Sequence, residues 1–289
     1  MKQDSVYKVR SAAANIGAAI EFASKNLPEM LKKLWLPMTV LAIAYTGLLV
    51  VNLPNKALSD WGSTHPLAVL AMISCSQLLT ALATAWLMAA VFRLFNGNTM
   101  KRNLLRALVV VVLCTAFALI SSFAYGFASA HLTMAMQEQS TTAIAIASIS
   151  ILLLTVAIAV FTLPFLFSFT KYLADHTTRT KAVFSHDYAK GWRHWGQIFV
   201  TMLLAVLVLI PILIILLTPL FIINMAQAAN QLGMLNGDPS GAPSYLMWLL
   251  VATSFLSFLL LASTLVWTFI VEYHLYASID TFEKQKAKA

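Results

Sequence analysis

Charged side chains are scarce in this sequence of 289 residues. Asp, Glu, Lys and Arg together make up 10% of it, whereas hydrophobic residues make up 60%. A soluble domain of average composition is about 25% charged, so the scarcity excludes an ordinary soluble protein. The mean hydropathy of +0.80 and the long apolar runs predict a membrane protein instead.

Cysteine is also rare. Cys75 and Cys114 lie inside apolar runs, and neither has a CxxC neighbour, which predicts a pair of reduced, packed thiols. The first apolar run starts near Leu34, behind a long polar leader, and is long enough to span a membrane. This pattern predicts no cleavable signal peptide.

The sequence contains no GxxxxGK[ST] phosphate loop, no GxSxG elbow and no HExxH helix. Ionisable residues are nearly absent from the apolar runs, which argues against a proton-coupled or ion-coupled carrier. His176, His186 and His194 lie near Asp175 and Asp187, but their spacing matches no compact metal-ligand pattern. We therefore expect no enzyme activity, no metal site and no cofactor.

Six apolar segments reach or exceed the ~20 residues needed to cross ~30 Å of hydrocarbon. They predict an all-α fold, a six-helix transmembrane bundle. Prolines inside the fourth and fifth segments are expected to kink those helices. The segments lie at roughly 34–53, 67–92, 104–130, 142–170, 196–224 and 246–277.

The leader, residues 1–33, has a helical stripe of apolar residues and predicts an amphipathic helix. Pro28 is expected to break it, because proline disfavours helical geometry in the residue before it. The leader would then lie on the membrane surface or, alternatively, pack on the bundle. The spanning domain would follow over 34–277, with a short basic tail over 278–289.

Basic residues are distributed very unevenly. All of the 19 Lys and Arg residues except Lys56 fall in the leader, at the 93–106 junction, between 171 and 195, or in the tail. By the positive-inside rule, this places both termini and the two basic connections in the cytoplasm. We expect a multi-pass protein of the bacterial inner membrane.

The longest charged stretch inside the apolar part of the chain lies between the fourth and fifth segments, where basic residues and tryptophans precede the fifth apolar segment. Basic residues attract anionic headgroups, and tryptophans anchor a chain at the membrane interface. We expect this interruption to bind anionic membrane lipid or another membrane protein, and not nucleic acid. The residues predicted to do so are Lys171, Arg179, Lys181, Lys190, Trp192, Arg193 and Trp195.

The segments also suggest three repeated hairpins, in which each even segment ends on a cationic or titratable residue beside an aromatic or leucine. These residues are Arg93, Lys171 and His274. Any positive-inside hairpin would share part of this pattern, so internal duplication stays one of two explanations. Glu272, near the end of the sixth segment, is predicted either to form a structural ion pair with a cation such as Arg93 or to be hydrated at headgroup level.

The chain has a family resemblance, which rests on three features of the sequence. They are the basic, partly amphipathic stretches that precede the odd segments, the motif GWRHWGQIF that opens the fifth segment, and the motif YHLYASID that closes the sixth. The chain resembles bacterial six-span membrane proteins of the YciC-like type and the membrane domain that precedes some glycerophosphodiester phosphodiesterases. The resemblance implies an architecture and no chemistry.

Two functions are compatible with these patterns. The first is an integral membrane scaffold or accessory subunit, whose basic cytoplasmic face engages anionic lipid or a protein partner. The alternative is a transporter or lipid-handling protein with an uncharged central path. A filled apolar core with an exposed small-residue groove would favour the scaffold, and a polar central cavity would favour transport.

Overall fold

The computed structural model describes residues 7–52, 64–237, 243 and 245–288. Lys2 and Lys56, which entered the orientation argument, lie outside these residues. The described part of the chain is helical and contains no strand. Its helices are Ala12–Asn52 (α1), Pro66–Asn96 (α2), Met100–Gln137 (α3), Thr141–Ala174 (α4), Thr180–Val183 (α5), His186–Arg193 (α6), Trp195–Leu235 (α7) and Tyr245–Lys286 (α8).

Six of these helices, α1 to α4, α7 and α8, are long and apolar enough to cross a membrane. The predicted all-α, six-span fold is confirmed, and the chain is a multi-pass membrane protein. The last five spans extend their apolar segments by a few residues, whereas α1 begins at Ala12, far ahead of its segment at 34–53. Helix formation continues through the polar flanks. Whether the three hairpins arose by duplication stays a prediction.

Consecutive long helices pack as antiparallel hairpins, α1 with α2, α3 with α4, and α7 with α8, and α1 also packs along α8. Contacts between distant residues show which helix ends lie together. The backbone N–H of Arg10 donates to the Ser278 hydroxyl at 2.8 Å, and the Asn96 amide donates to the Leu173 carbonyl at 3.1 Å. We call this end of the bundle the basic end, because the described basic residues cluster there.

The two helices α1 and α8 are much longer than a membrane is thick. They contain 41 and 42 residues, so at ~1.5 Å per residue each measures about 60 Å, twice the ~30 Å of hydrocarbon. The charged residues of α1 all precede Leu34, and those of α8 all lie from Glu272 onwards. The basic halves of both helices therefore project out of the hydrocarbon.

The hydrophobic core is concentrated toward the basic end and runs from this projecting part into the apolar segments. Every residue of α8 between Ile270 and Ile279 is buried except Glu272, which is half-buried. Phe95 of α2 stacks on Tyr273, with ring centroids 4.1 Å apart, and lies 5.0 Å from Phe22 of α1. Aromatic packing of this kind stabilises a core that is surrounded by water, because it removes a large apolar area from solvent.

Away from the basic end, the helices bury much less surface against one another. In the most apolar window of α4 only 6% of the residues are buried, compared with 56% in α2. Large apolar side chains of α3 and α4, such as Phe123 and Leu153, point outward. These faces are suited to contact with lipid chains, which are as apolar as leucine.

The predicted break at Pro28 is wrong, since α1 continues through both Pro28 and Pro37. A proline removes one backbone hydrogen bond and kinks a helix, but packing on both sides can hold the helix together. Here Ala19 before Pro28, and Met30 and Leu34 after it, are all buried. The leader packs along α8, as the alternative prediction had it, and the boundary expected at residue 33 lies inside a continuous helix.

Both cysteines, Cys75 and Cys114, are free, as predicted. Their predicted packing is wrong, because both are exposed on outward faces of α2 and α3. An apolar run gives no sign of which of its residues face protein and which face lipid.

Candidate functional site at the basic end

The segment from Asp175 to His194, which we call the hinge, folds back along the end of α4. The second of its short helices, α6, places Asp187 beside Lys171 and Gly191 beside Pro164. Trp195, which follows the hinge as the first residue of α7, also contacts α4 near Pro164. The hinge is a compact helical segment docked on α4, and its binding to lipid or a partner stays a prediction.

Lys171 and Asp187 join the hinge to α4 through a buried ion pair. The Lys171 ammonium lies 2.5 Å from Asp187 Oδ1, and the Asp187 side chain is 1% exposed. His186 Nδ1 lies 3.3 Å from the same oxygen. A cation held by a buried carboxylate is not available for a lipid headgroup, so Lys171 has a structural position rather than the predicted binding role.

Two aromatic side chains of the hinge region complete the hydrogen bonding of α4 where proline interrupts it. Pro164 has no N–H, so it cannot donate to the carbonyl of Val160 one turn earlier. The indole Nε1 of Trp195 donates to that carbonyl at 3.3 Å. The hydroxyl of Tyr188 donates to the next carbonyl, that of Phe161, at 3.1 Å. Trp195 thus has a specific structural role beside Pro164.

Gly191 lets the hinge approach the α4 backbone closely. A Cβ atom added at this position would lie 2.5 Å from the Pro164 carbonyl oxygen and 2.9 Å from its Cα. Trp192, the next residue, packs its ring edge-on against Phe161 at 5.8 Å and remains 38% exposed. Trp192 is therefore partly free to contact a membrane interface.

The other four predicted residues carry charges that point away from the bundle. Arg179, Lys181 and Arg193 are exposed and Lys190 is half-buried. None of them forms an ion pair within 4 Å with any residue that the structure describes. These cations are available to an external anion.

Both aspartates of the hinge are engaged internally. Asp187 is held by Lys171, and Asp175 accepts hydrogen bonds from the Thr177 N–H at 2.9 Å, the Thr177 hydroxyl at 2.8 Å and the Thr178 hydroxyl at 3.3 Å. Burial alone would raise the pKa of Asp175, but these hydrogen bonds hold it below its usual value. The outward charge of the hinge is therefore strongly positive.

Arg106 of α3 fastens the end of α4, a role that the sequence did not predict. Its guanidinium donates to the carbonyl of Tyr172 and to those of Asp175 at 2.8 Å, His176 at 2.7 Å and Thr178 at 2.9 Å. It also lies 4.5 Å from the centre of the Tyr172 ring. Arg106 thus donates to one of the last carbonyls of α4, which lack partners within the helix, and to three carbonyls of the turn that follows it. No spacing in the sequence pairs Arg106 with residues about 70 positions away.

The hinge also contacts α8. His194 Nε2 lies 2.8 Å from a carboxylate oxygen of Glu283. The predicted ion pair of Glu272 with Arg93 is not among the pairs within 4 Å formed in the described part of the chain. Arg93 instead faces a cavity between α1 and α2, while Glu272 lies in the most buried part of α8. His194, His186 and His176 take part in no group of three metal-ligating side chains among the described residues.

The cavity between α1 and α2 has a volume of about 530 Å³ and opens at the basic end. Three basic residues line it, Lys32 and Lys33 from α1 and Arg93 from α2. Two tryptophans line it as well, Trp35 and Trp86. The sequence analysis counted these cations only as orientation signals, because nothing in the sequence shows that residues 60 positions apart share a cavity.

Comparison of the chain with protein-family models, with curated proteins and with solved structures finds no match. The resemblance to YciC-like membrane proteins therefore rests on the sequence motifs. In this structure GWRHWGQIF supplies the residues that dock on α4, and YHLYASID supplies much of the buried stretch of α8.

Proposed function

We propose that the protein is a non-enzymatic scaffold or accessory subunit of the bacterial inner membrane, which engages anionic lipid through its basic end. One observation carries this proposal. The hinge is fixed to α4 by a buried ion pair and by hydrogen bonds, and it presents Arg179, Lys181, Lys190 and Arg193 outward while both of its aspartates are engaged. A basic residue near an anionic surface contributes ~1 kcal/mol to its attraction.

The positive-inside rule supports a cytoplasmic position for the basic end. The leader, the 96–100 turn, the hinge and the end of α8 meet there, as contacts such as Arg10–Ser278 and Asn96–Leu173 demonstrate. Both termini would accordingly be cytoplasmic. The anionic headgroups of the cytoplasmic leaflet would face the hinge cations.

The packing at the basic end supports a scaffold over a transporter. Phe92 and Phe95 of α2 pack on Tyr273 of α8, and Phe95 also packs on Phe22 of α1, so the space among these three helices is filled by apolar rings. The small-residue ridge of α3, formed by Ser122, Gly126 and Ala130, is exposed. Such a ridge lets a helix of a neighbouring protein approach closely.

The test is to neutralise the hinge in the full-length protein. Wild type and the variant K181Q/K190Q/R193Q are reconstituted in discs of equal parts phosphatidylglycerol and phosphatidylcholine, extracted in mild detergent, and analysed for retained lipid by mass spectrometry. We expect the enrichment of phosphatidylglycerol to fall at least about fivefold in the variant. The wild-type enrichment should also fall as salt screens the charges.

The variant K284Q/K286Q/K288Q is a control that removes three positive charges elsewhere at the same end. Lys284 lies close to the hinge along α8, since its neighbour Glu283 contacts His194, but it is paired with Asp280 at 2.6 Å. We expect the enrichment of this variant to fall less than that of the hinge variant, because part of the charge it removes is already engaged inside the protein. Unchanged enrichment in a K181Q/K190Q/R193Q variant that melts at the wild-type temperature would contradict the proposal.

A further inference from the structure

We infer that the cavity between α1 and α2 is a discrete binding site for the headgroup of an anionic glycerophospholipid. The site is separate from the hinge and uses none of its residues. The inference rests on the proposed placement of the basic end at the headgroup level, but not on the hinge cations. It therefore fails or succeeds independently of them.

The charges of the cavity are arranged for an anion. Lys32, Lys33 and Arg93 line it, and all three are exposed. The one ion pair that any of them makes among the described residues is the bond of Lys33 to Glu29, at 2.6 Å and one turn away on the same exposed helix face. Exposed pairs of this kind contribute only ~0–1 kcal/mol, so Glu29 competes weakly with a phosphate.

The N-terminus of α3 forms a third wall of the cavity and adds positive potential. Met100, the first residue of α3, lines the cavity. The N-terminus of a long helix carries a partial positive charge and unbonded backbone N–H groups, which favour anions. The first turn of α3 contains no acidic residue, so nothing in that turn cancels this field.

The remaining lining fits a lipid rather than a free anion. Trp35 and Trp86 flank the cavity, and Leu36, Pro37 and Leu94 form its apolar side. Tryptophans of this kind sit at the boundary between headgroups and hydrocarbon. The volume of about 530 Å³ lies within the ~300–1,000 Å³ of typical ligand sites. A phosphate could lie among the cations while the glycerol and upper acyl chains follow the apolar side toward the bilayer.

The site can be tested by local photo-cross-linking in the full-length protein. Leu36, which is 43% exposed, is replaced by p-benzoylphenylalanine, and the protein is reconstituted separately with phosphatidylglycerol or phosphatidylcholine. We expect cross-linking to phosphatidylglycerol to exceed that to phosphatidylcholine at least about tenfold, and K32Q/K33Q/R93Q to remove the preference. The same probe at Ile43, exposed two turns further along α1, should cross-link both lipids alike.

The hinge variant K181Q/K190Q/R193Q is a matched control, because it also removes two lysines and one arginine. It should leave the preference at Leu36 within about twofold of wild type, since the hinge lies outside the cavity. The charge-conserving variant K32R/K33R/R93K should keep the preference and shows that the three positions tolerate substitution.

Three results would overturn the inference. Equal cross-linking of both lipids at Leu36 would mean that no anionic site exists there. If the preference for phosphatidylglycerol survives K32Q/K33Q/R93Q, or if the hinge variant abolishes it equally, the preference comes from the overall charge of the basic end and not from this cavity. Loss of the preference in excess inorganic phosphate, but not in chloride of matched ionic strength, would assign the cations to a free anion instead of a lipid.

Discussion

At the scale of single residues, the hinge region is fixed to α4 by side-chain hydrogen-bond donors, which replace the backbone N–H that Pro164 lacks. Pro164 removes an N–H from α4, and Trp195 supplies an indole N–H to the carbonyl left behind. The sequence analysis assigned Trp195 to the lipid interface and gave no sign of this hydrogen bond. The two partners are 35 positions apart, and residue type alone cannot tell which carbonyl an indole will meet.

Replacing Gly191 with Ala should destabilise the protein by about 1–3 kcal/mol, because the added methyl group would overlap the Pro164 backbone. Thermal unfolding in detergent measures the loss. Gly196→Ala is the matched control, since a Cβ at that nearby position would meet no atom within 4 Å. Equal melting temperatures for the two variants would mean that the hinge does not need the close approach.

The bond of Trp195 to Val160 can be isolated by a double-mutant cycle. Trp195→Phe keeps the aromatic ring but removes the donor, and should lower the free energy of unfolding by about 1 kcal/mol. In a Pro164→Ala background the backbone N–H returns to Val160, so the same substitution should cost much less. Identical costs in both backgrounds would show that the indole bond does not compensate for the proline.

At the scale of helices, the sequence predicted which stretches are helical better than where they stop. Pro28 was a good reason to expect an interruption, but α1 continues through it, packed against α2 and α8. The opposite holds at the end of α4, where the helix stops before Asp175 and its last carbonyls turn to Arg106. Local propensity is visible in a sequence, whereas the tertiary contacts that extend or end a helix are not.

Replacing Arg106 with Met should cost about 3 kcal/mol of unfolding free energy, since it leaves several carbonyls at the end of α4 without their charged donor. Arg106→Lys should recover only part of this, because one ammonium cannot reproduce the planar fork of a guanidinium. Arg102→Met is the control, as Arg102 is exposed on the same helix. Reversible denaturation in mixed micelles measures the unfolding free energy of all three variants. Similar values for Arg106→Met and Arg102→Met would contradict the capping role of Arg106.

At the scale of the whole molecule, composition and length were sufficient to predict six spans. They could not predict that the buried core is concentrated toward the basic end. Inside a membrane an apolar side chain suits both a lipid-facing and a protein-facing position. The periodicity of apolar residues therefore says little about which face of a spanning helix is buried in the protein. The outward Phe123 and the buried Leu87 look alike in the sequence.

The proposed orientation predicts a labelling pattern in intact cells. In a background with Cys75 and Cys114 replaced by Ala, a cysteine at Glu138 should react with a membrane-impermeant maleimide. A cysteine at Lys181 should react only after the membrane is permeabilised. Both positions are exposed, so access to the reagent decides the outcome. Labelling of the Lys181 position in intact cells would reverse the orientation.

The packing of α1 along α8 also bears on how the protein is made. The bond between Arg10 and Ser278 joins residues 268 positions apart, and Phe22 meets His274 across the same interface. During synthesis α1 is inserted first and can pair with α2, but the face that packs on α8 has no permanent neighbour until α8 has left the ribosome. The apolar residues of the leader on that face must wait uncovered for that whole interval. The biosynthetic intermediates are therefore the forms of this chain most exposed to aggregation and proteolysis, and the forms that a chaperone would protect.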